Sequence, residues 1–286
     1  MKKHISTIIL VMMFLLGLGI VLYPTVSDFI NTRNQIKTIE NYEEAVNRID
    51  TYDLQKMKSE AASYNQKIAS MGQPNFIEPP YHEEYEKALN ISGDGVMGYI
   101  TIPCIGVKLP IYHGTSDAVL QIATGHIEGS SLPIGGADTH CIISGHRGLP
   151  SANLFTHLDR VKVGDSFNIS VLGEVHTYEV DKIDIVEPAD VSRLSIEKGQ
   201  DYVTLVTCTP YGINTHRLLV RGKRVATKNL DSEFVNADAY PLDKITVTVV
   251  SSIPLAIVIL IGMRIHYRRK KAKQKNNESE DRKNYK

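Results

Sequence analysis

"TLVTCTPYGINTHRLLVRG", residues 204–222, ends one apolar, β-branched run at Cys208 and opens a second near Arg217, with Pro-Tyr-Gly-Ile-Asn between them. Short β-branched runs bounded by turn residues read as strands. If the two lie side by side around the Pro210-Tyr211-Gly212 turn, Arg217 comes within side-chain reach of Cys208. A free thiol is only partly ionised at neutral pH, and a neighbouring cation or base supplies thiolate character. A guanidinium stays charged at any working pH and can donate to a developing oxyanion. The opposing reading is that Cys208 only fills space, as free cysteines in cores often do.

Upstream of this stretch the same pattern repeats. "MGYITIP", "VKLPIYHG", "HCIISGH", "SFNISVLG", "HTYEVDKIDIV", "YVTLVTC" and "HRLLVRGKRV" are short strand-like runs separated by Gly, Pro, Asp or Asn. Together they predict a compact, mainly β domain, a barrel or a sandwich. Gly164-Asp165 and Leu172-Gly173 stand where hairpin turns are expected.

Before the β region, residues 28–70 contain no Gly or Pro and place Ile36, Ile39, Tyr42, Val46 and Ile49 at spacings of three or four. One or two helices with a docking stripe are predicted there. Residues 72–90, "GQPNFIEPPYHEEYEKALN", read as an exposed Pro-rich connection ending in a short helix. Residues 225–243 read as a polar linker.

The ends of the chain are apolar and basic. Residues 5–23 carry no charge and follow Lys2 and Lys3; the run is long enough to cross a bilayer as a helix, with a cleaved signal as the competing reading. A second apolar run, residues 245–263, precedes a basic tail beginning at Arg264. The positive-inside rule puts both termini in the cytoplasm and residues 24–244 outside the cell membrane. With 32 basic and 32 acidic residues the formal charge is zero, so no global field draws the chain to nucleic acid. The three cysteines, Cys104, Cys141 and Cys208, lack the spacing of a disulfide scaffold or a zinc site, and no metal or other cofactor is expected.

A histidine is the remaining requirement for thiol chemistry. Of the seven in the β region, His146 differs by standing at the end of an apolar run between glycines, in "IISGHRGLP". His140 and His216 are its rivals. Cys104, in "TIPCIG", and Cys141, in "THCIISG", look like packing residues, each within or against an apolar strand.

These residues carry a resemblance. "TLVTCTPYGINTHRLLVRG" together with "SGHRGLPSANLFTHLD" resembles the sortases, cysteine transpeptidases of the Gram-positive cell surface, and most closely their class C, pilus-assembling type. The likeness runs from about Gly93 through Arg224. It implies an eight-stranded β-barrel preceded by N-terminal helices and flanked by two transmembrane helices. It also implies Cys208 as nucleophile, His146 as general acid and base, and Arg217 as stabiliser of the oxyanion or of the substrate, with Thr207 as a further donor through its backbone or its hydroxyl. The implied donor substrate is a pilin or surface protein with an LPxTG-like sorting signal, cut between Thr and Gly through a thioester. The acceptor is a pilin lysine amine or, in the wall-anchoring type, a peptidoglycan-precursor amine; water would give hydrolysis, and a non-catalytic surface barrel is the remote reading.

The implied layout is an anchor or signal at 1–27, a helical and lid-like region at 28–92, the catalytic barrel at 93–225, a linker at 226–244, a second span at 245–263 and the tail at 264–286. Class C sortases carry a lid whose Asp-Pro-aromatic triplet covers the cysteine. Here the corresponding residues are Gln73-Pro74-Asn75-Phe76: the proline is present, the aspartate is not, and the aromatic is shifted by one. Pro74 and Phe76 are therefore lid candidates, against the reading of a plain Pro-rich linker.

Overall fold

A computed structural model describes residues 2–72 and 74–227. Gln73, the linker from residue 228 onward, the second apolar run at 245–263 and the basic tail lie outside the described residues.

Helix α1 spans Lys2–Arg48 without interruption, passing through Pro24. A window of its apolar part has a mean hydropathy of 1.7 and none of it is buried, as a bilayer-crossing helix requires. Past Pro24 the helix turns its stripe to the barrel: Ile39, Tyr42 and Val46 are buried, Ile49 is half-buried, and Ile36 is exposed, against expectation, because it lies at the stripe's edge. Each fully buried apolar side chain in such a stripe contributes roughly 1.5–3 kcal/mol. Tyr42 adds direction to the docking, its hydroxyl donating to Met97 O at 2.9 Å and accepting from Leu172 N at 2.9 Å. Helix α2, Thr51–Ser70, begins at Asp50, whose carboxylate accepts from Asp53 N at 2.9 Å. The short helix α3, His82–Lys87, buries Tyr85 completely and ends the Pro-rich connection as the sequence predicts.

The strands are β1 (Val96–Ile102), β2 (Val107–His113), β3 (Thr124–His126), β4 (Thr139–Ser144), β5 (Ser166–Val171), β6 (Glu174–Val186), β7 (Asp201–Thr209) and β8 (His216–Arg224). They close into an eight-stranded barrel in the order β1-β2-β3-β4-β7-β8-β6-β5. All neighbours are antiparallel except β2 with β3 and β4 with β7. Alternation decides the interior: Ile100, Ile143, Phe167, Tyr178, Leu205 and Val220 fill the barrel, while residues of the other parity face outward. One end is closed by α2 and α3, whose Tyr64, Ile68 and Tyr85, with Leu89 just past α3, pack with Met97, Leu132 and Leu172.

Seven of the eight strands coincide with the predicted runs. The eighth, β3, has three residues and no alternation to read. Leu172-Gly173 forms the β5–β6 hairpin, both residues at positive φ. Gly164-Asp165 makes a turn but joins no hairpin; it leads into β5, and Gly164 N donates to Val180 O of β6. Of the two packing cysteines, Cys141 is buried, whereas Cys104 is exposed on the 3-10 turn Pro103–Ile105. That turn follows β1 and leaves the barrel wall, so its side chain escapes the core.

Candidate active site

The strand pairing settles what can meet Cys208. In the β7–β8 ladder Cys208 is the register partner of Arg217, and Val206 of Leu219. Cys208 has the parity of Thr204 and Val206, which face away from the barrel interior, and is half-buried. Arg217 has the parity of Leu219 on the same outer face, and Nη1 donates to the carbonyls of Asn214 at 3.4 Å and His216 at 3.2 Å.

On the other side of β7 runs β4, parallel to it, with Ser144 opposite Val206. Past the last paired residue, Gly145 N donates to Val206 O at 3.0 Å, and Thr207 Oγ1 donates to Gly145 O at 2.8 Å. Two residues beyond Ser144 is His146; two beyond Val206 is Cys208. Adjacent strands lie roughly 4.8 Å apart, so Arg217 adjoins Cys208 on β8, and extending the β4–β7 register past its last pair sets His146 level with Cys208 on the other side. Thr207 is buried and its hydroxyl is committed to Gly145, which makes it a staple between the two strand ends and takes that hydroxyl out of the expected role of donor to substrate.

His146 is half-buried, and its carbonyl accepts from Phe155 N at 3.0 Å. Gly145 permits this return of the chain: a Cβ there would stand 2.7 Å from the Phe155 ring. Beside His146, the Arg147 guanidinium donates to Thr209 Oγ1 at 3.2 Å and Asp159 Oδ2 at 2.6 Å and lies 5.9 Å from the Tyr211 ring centroid. Sequence reasoning missed this arginine, which ties the His146 segment to the residue after Cys208.

The rival histidines have other employment. His140 is buried with Nε2 2.7 Å from Thr204 Oγ1 and Nδ1 2.9 Å from Ser195 O, and burial lowers its pKa. His216 pairs with Thr209 and so has the opposite parity to Cys208 and Arg217. His126 is fully buried between Tyr85 Oη and Ser131 O, and burial pulls its pKa down to about 4. The other thiols are poor nucleophiles: burial pushes Cys141 up, and partial burial with Asp165 nearby pushes Cys104 up to about 11. Among the described residues no cluster could hold a metal ion.

Below Cys208 on the outer face lies an apolar patch of Ile142, Leu194, Val206 and Leu219, and Phe76 packs onto it. The segment carrying Phe76 is held by an Asx turn, with Asn75 Oδ1 accepting from Ile77 N at 3.2 Å and Glu78 N at 3.0 Å. It passes so close to Gly129 that a Cβ there would stand 2.4 Å from the Asn75 carbonyl oxygen. Pro74 precedes this turn and is half-buried. The shift of the aromatic by one position therefore does not keep its ring off the patch.

Residues 100–225 match the family model described as the sortase domain. The chain is similar to the solved sortase C1 of Streptococcus agalactiae, at 52% identity and a TM-score of 0.65, over 67% of this chain and 100% of that one. It is also similar to the solved sortase C of Streptococcus pneumoniae, at 43% identity and a TM-score of 0.61, over 67% and 97% of the two chains. A sortase A of Streptococcus agalactiae serotype III (strain NEM316) is 25% identical over 240 residues, 82% of this chain and 89% of that protein. With a closed eight-stranded barrel and a cysteine in register with an arginine at one strand end, the chain belongs to the sortase family of cysteine transpeptidases, on its class C branch.

Proposed function

We propose that the protein is a membrane-held transpeptidase that cuts LPxTG-like sorting signals between Thr and Gly and joins the product to a lysine amine of the next pilin. The observation that carries this reading is the register of Cys208 opposite Arg217 on β8, with His146 two residues past the Ser144 that pairs with Val206 on parallel β4. Cys208 Sγ attacks the threonine carbonyl while Arg217 donates to the developing oxyanion. The C–N bond to glycine breaks, His146 gives its proton to the departing amine, and a thioester remains on Cys208. The incoming amine then loses a proton to His146, attacks the thioester carbonyl, and releases the thiol. An acceptor on pilin is favoured over a peptidoglycan-precursor amine because two solved relatives belong to pilus systems, one the sortase C1 of a pilus island, the other a sortase C analysed for its pilin substrate specificity.

The apolar patch of Ile142, Leu194, Val206 and Leu219 spans β4, β7 and β8 next to Cys208, where the Leu-Pro part of a sorting signal would lie. Phe76 occupies it in this state, so the segment around Pro74 and Phe76 acts as a cover that the substrate displaces. The test incubates the full chain with an LPxTG peptide and a pilin bearing an acceptor lysine, and resolves products by mass spectrometry. Covalent pilin ladders that vanish in Cys208→Ala support the proposal; peptide release with no ladder, in the presence of pilin, would assign hydrolysis or another acceptor.

A further inference from the structure

The helix that carries the apolar span is also hydrogen-bonded to the segment that follows His146. Asp28 Oδ1 accepts from Asn153 N at 2.8 Å and Asp28 Oδ2 from Asn153 Nδ2 at 2.9 Å. One turn on, Asn31 Nδ2 donates to Ser151 O at 2.7 Å, and one further turn on, Gln35 Nε2 donates to Ile122 O at 2.6 Å. These contacts fix the height of the barrel above the bilayer, because a helix rises about 1.5 Å per residue.

With the apolar run ending at Tyr23, Asp28 lies about 8 Å and Asn31 about 12 Å beyond the hydrocarbon edge. The headgroup layer itself extends roughly 5–8 Å on each side of the core. Asn153, tied to Asp28, is therefore at the outer edge of the headgroup layer, and the Pro150-Ser151 turn, closed by the Leu149–Ala152 bridge, stands a few ångström above it, with Pro150 and Asn153 exposed. The face of α1 turned away from the barrel continues the apolar surface outward: Val26 is 50% exposed, Phe29 61% and Ile30 52%. Arg33 lies 6.0 Å from the Phe29 ring centroid, a cation one turn above an aromatic, as at membrane interfaces.

We infer that the His146 end of the barrel faces the outer edge of the phospholipid headgroup layer, with Asn153 and the Val26–Phe29–Ile30 face of α1 meeting it and the 149–152 turn directly above. The active site is then a membrane-surface site. Phe155 is two residues beyond Asn153, at most about 7 Å of chain, and its N–H is 3.0 Å from His146 O. His146 thus stands within about 20 Å of the hydrocarbon edge. By contrast, the start of α2 at Thr51 follows the far end of α1, whose Arg48 is about 38 Å above that edge. The inference rests on the membrane reading of α1 and is independent of the transpeptidase reading.

The chain contains no tryptophan, so a single introduced tryptophan is a clean depth reporter. Pro150→Trp, Ile122→Trp and Tyr52→Trp, each at an exposed position, are placed in the full chain in vesicles of phosphatidylcholine and phosphatidylglycerol, with and without phosphatidylcholine spin-labelled at its headgroup. Quenching is expected to be strong at 150, weaker at 122 and absent at 52. Equal quenching at 150 and 52 would overturn the inference, as would strong quenching at 52 with none at 150. Should Pro150→Trp fail to fold, Ser151→Trp reports the same turn, and the ordering of Ile122→Trp above Tyr52→Trp still has to hold. Neither readout uses activity, so loss of the catalytic reading would leave this result standing.

Discussion

Cys208 acquires its two neighbours by different routes. Arg217 reaches it through a local antiparallel ladder, and that neighbour was legible in the sequence: two β-branched runs around a Pro-Tyr-Gly turn bring position 217 beside 208. His146 reaches it through the parallel β4–β7 pair, whose partners are about sixty residues apart in sequence. No local pattern encodes such a pairing, and the residues alone left His140 and His216 in contention; the family resemblance separated them. The staple between these strand ends, Thr207 Oγ1 to Gly145 O, carries no sequence signal, since a threonine in a strand reads only as β-branched. Thr207→Val removes the buried donor and leaves the Gly145 carbonyl unpaired by it. The expected result is a loss of about 1–2 kcal/mol in urea unfolding together with a fall in kcat, both recovered in Thr207→Ser. Unchanged kinetics in Thr207→Val would show that the staple does not position His146.

At the scale of elements, the strands and helices declared themselves wherever they were long enough to repeat. β3 was missed because three residues hold no period, and Gly164-Asp165 was misread because a turn in sequence does not say which strands it joins. The segment around Phe76 illustrates the limit more sharply. Its composition reads as an exposed linker, and only the fold reveals an apolar patch of four outward-facing residues, from three strands and a loop, for the ring to cover. Phe76→Ala uncovers that patch and is expected to raise kcat/KM for a soluble LPxTG peptide. Each 1.4 kcal/mol by which the ring favours the closed arrangement corresponds to about tenfold. Steady-state peptide cleavage checks this, and an unchanged or lower kcat/KM would show that the ring does not compete with substrate. Gly129→Ala presses on the Asn75 carbonyl from below and is expected to act in the same direction, read by faster alkylation of Cys208 in the variant than in the parent.

Across the whole molecule, buried histidines set how the fold meets acid. His126 is held neutral inside the Tyr85–Ser130–Ser131 network, with its pKa lowered by burial from 6.5 to about 4, and His176 is likewise lowered to about 4. The unfolded chain binds these protons below about pH 6.5 while the native state refuses them until about pH 4. Stability is therefore full above pH 6.5 and falls as pH drops through that window, by roughly 3 kcal/mol for His126 alone. Urea unfolding between pH 7 and 4 checks the slope, and His126→Asn is expected to flatten it; a steeper slope in the variant would contradict the assignment. The same long-range organisation ties the apolar N-terminal run to the segment after His146, since α1 carries both that run and the Asp28 contact to Asn153 in one helix. Its polar contacts at Asp28, Asn31 and Gln35 read in the sequence only as the solvated side of a helix. The central claim remains that Cys208 is the nucleophile of this membrane-held enzyme. Its most direct test incubates the full chain in vesicles with an LPxTG peptide, quenches with acid, and maps the adduct by mass spectrometry. The account predicts the peptide's N-terminal fragment joined to Cys208 as a hydroxylamine-labile thioester; an adduct on another residue, or cleavage that persists in Cys208→Ala, would contradict it.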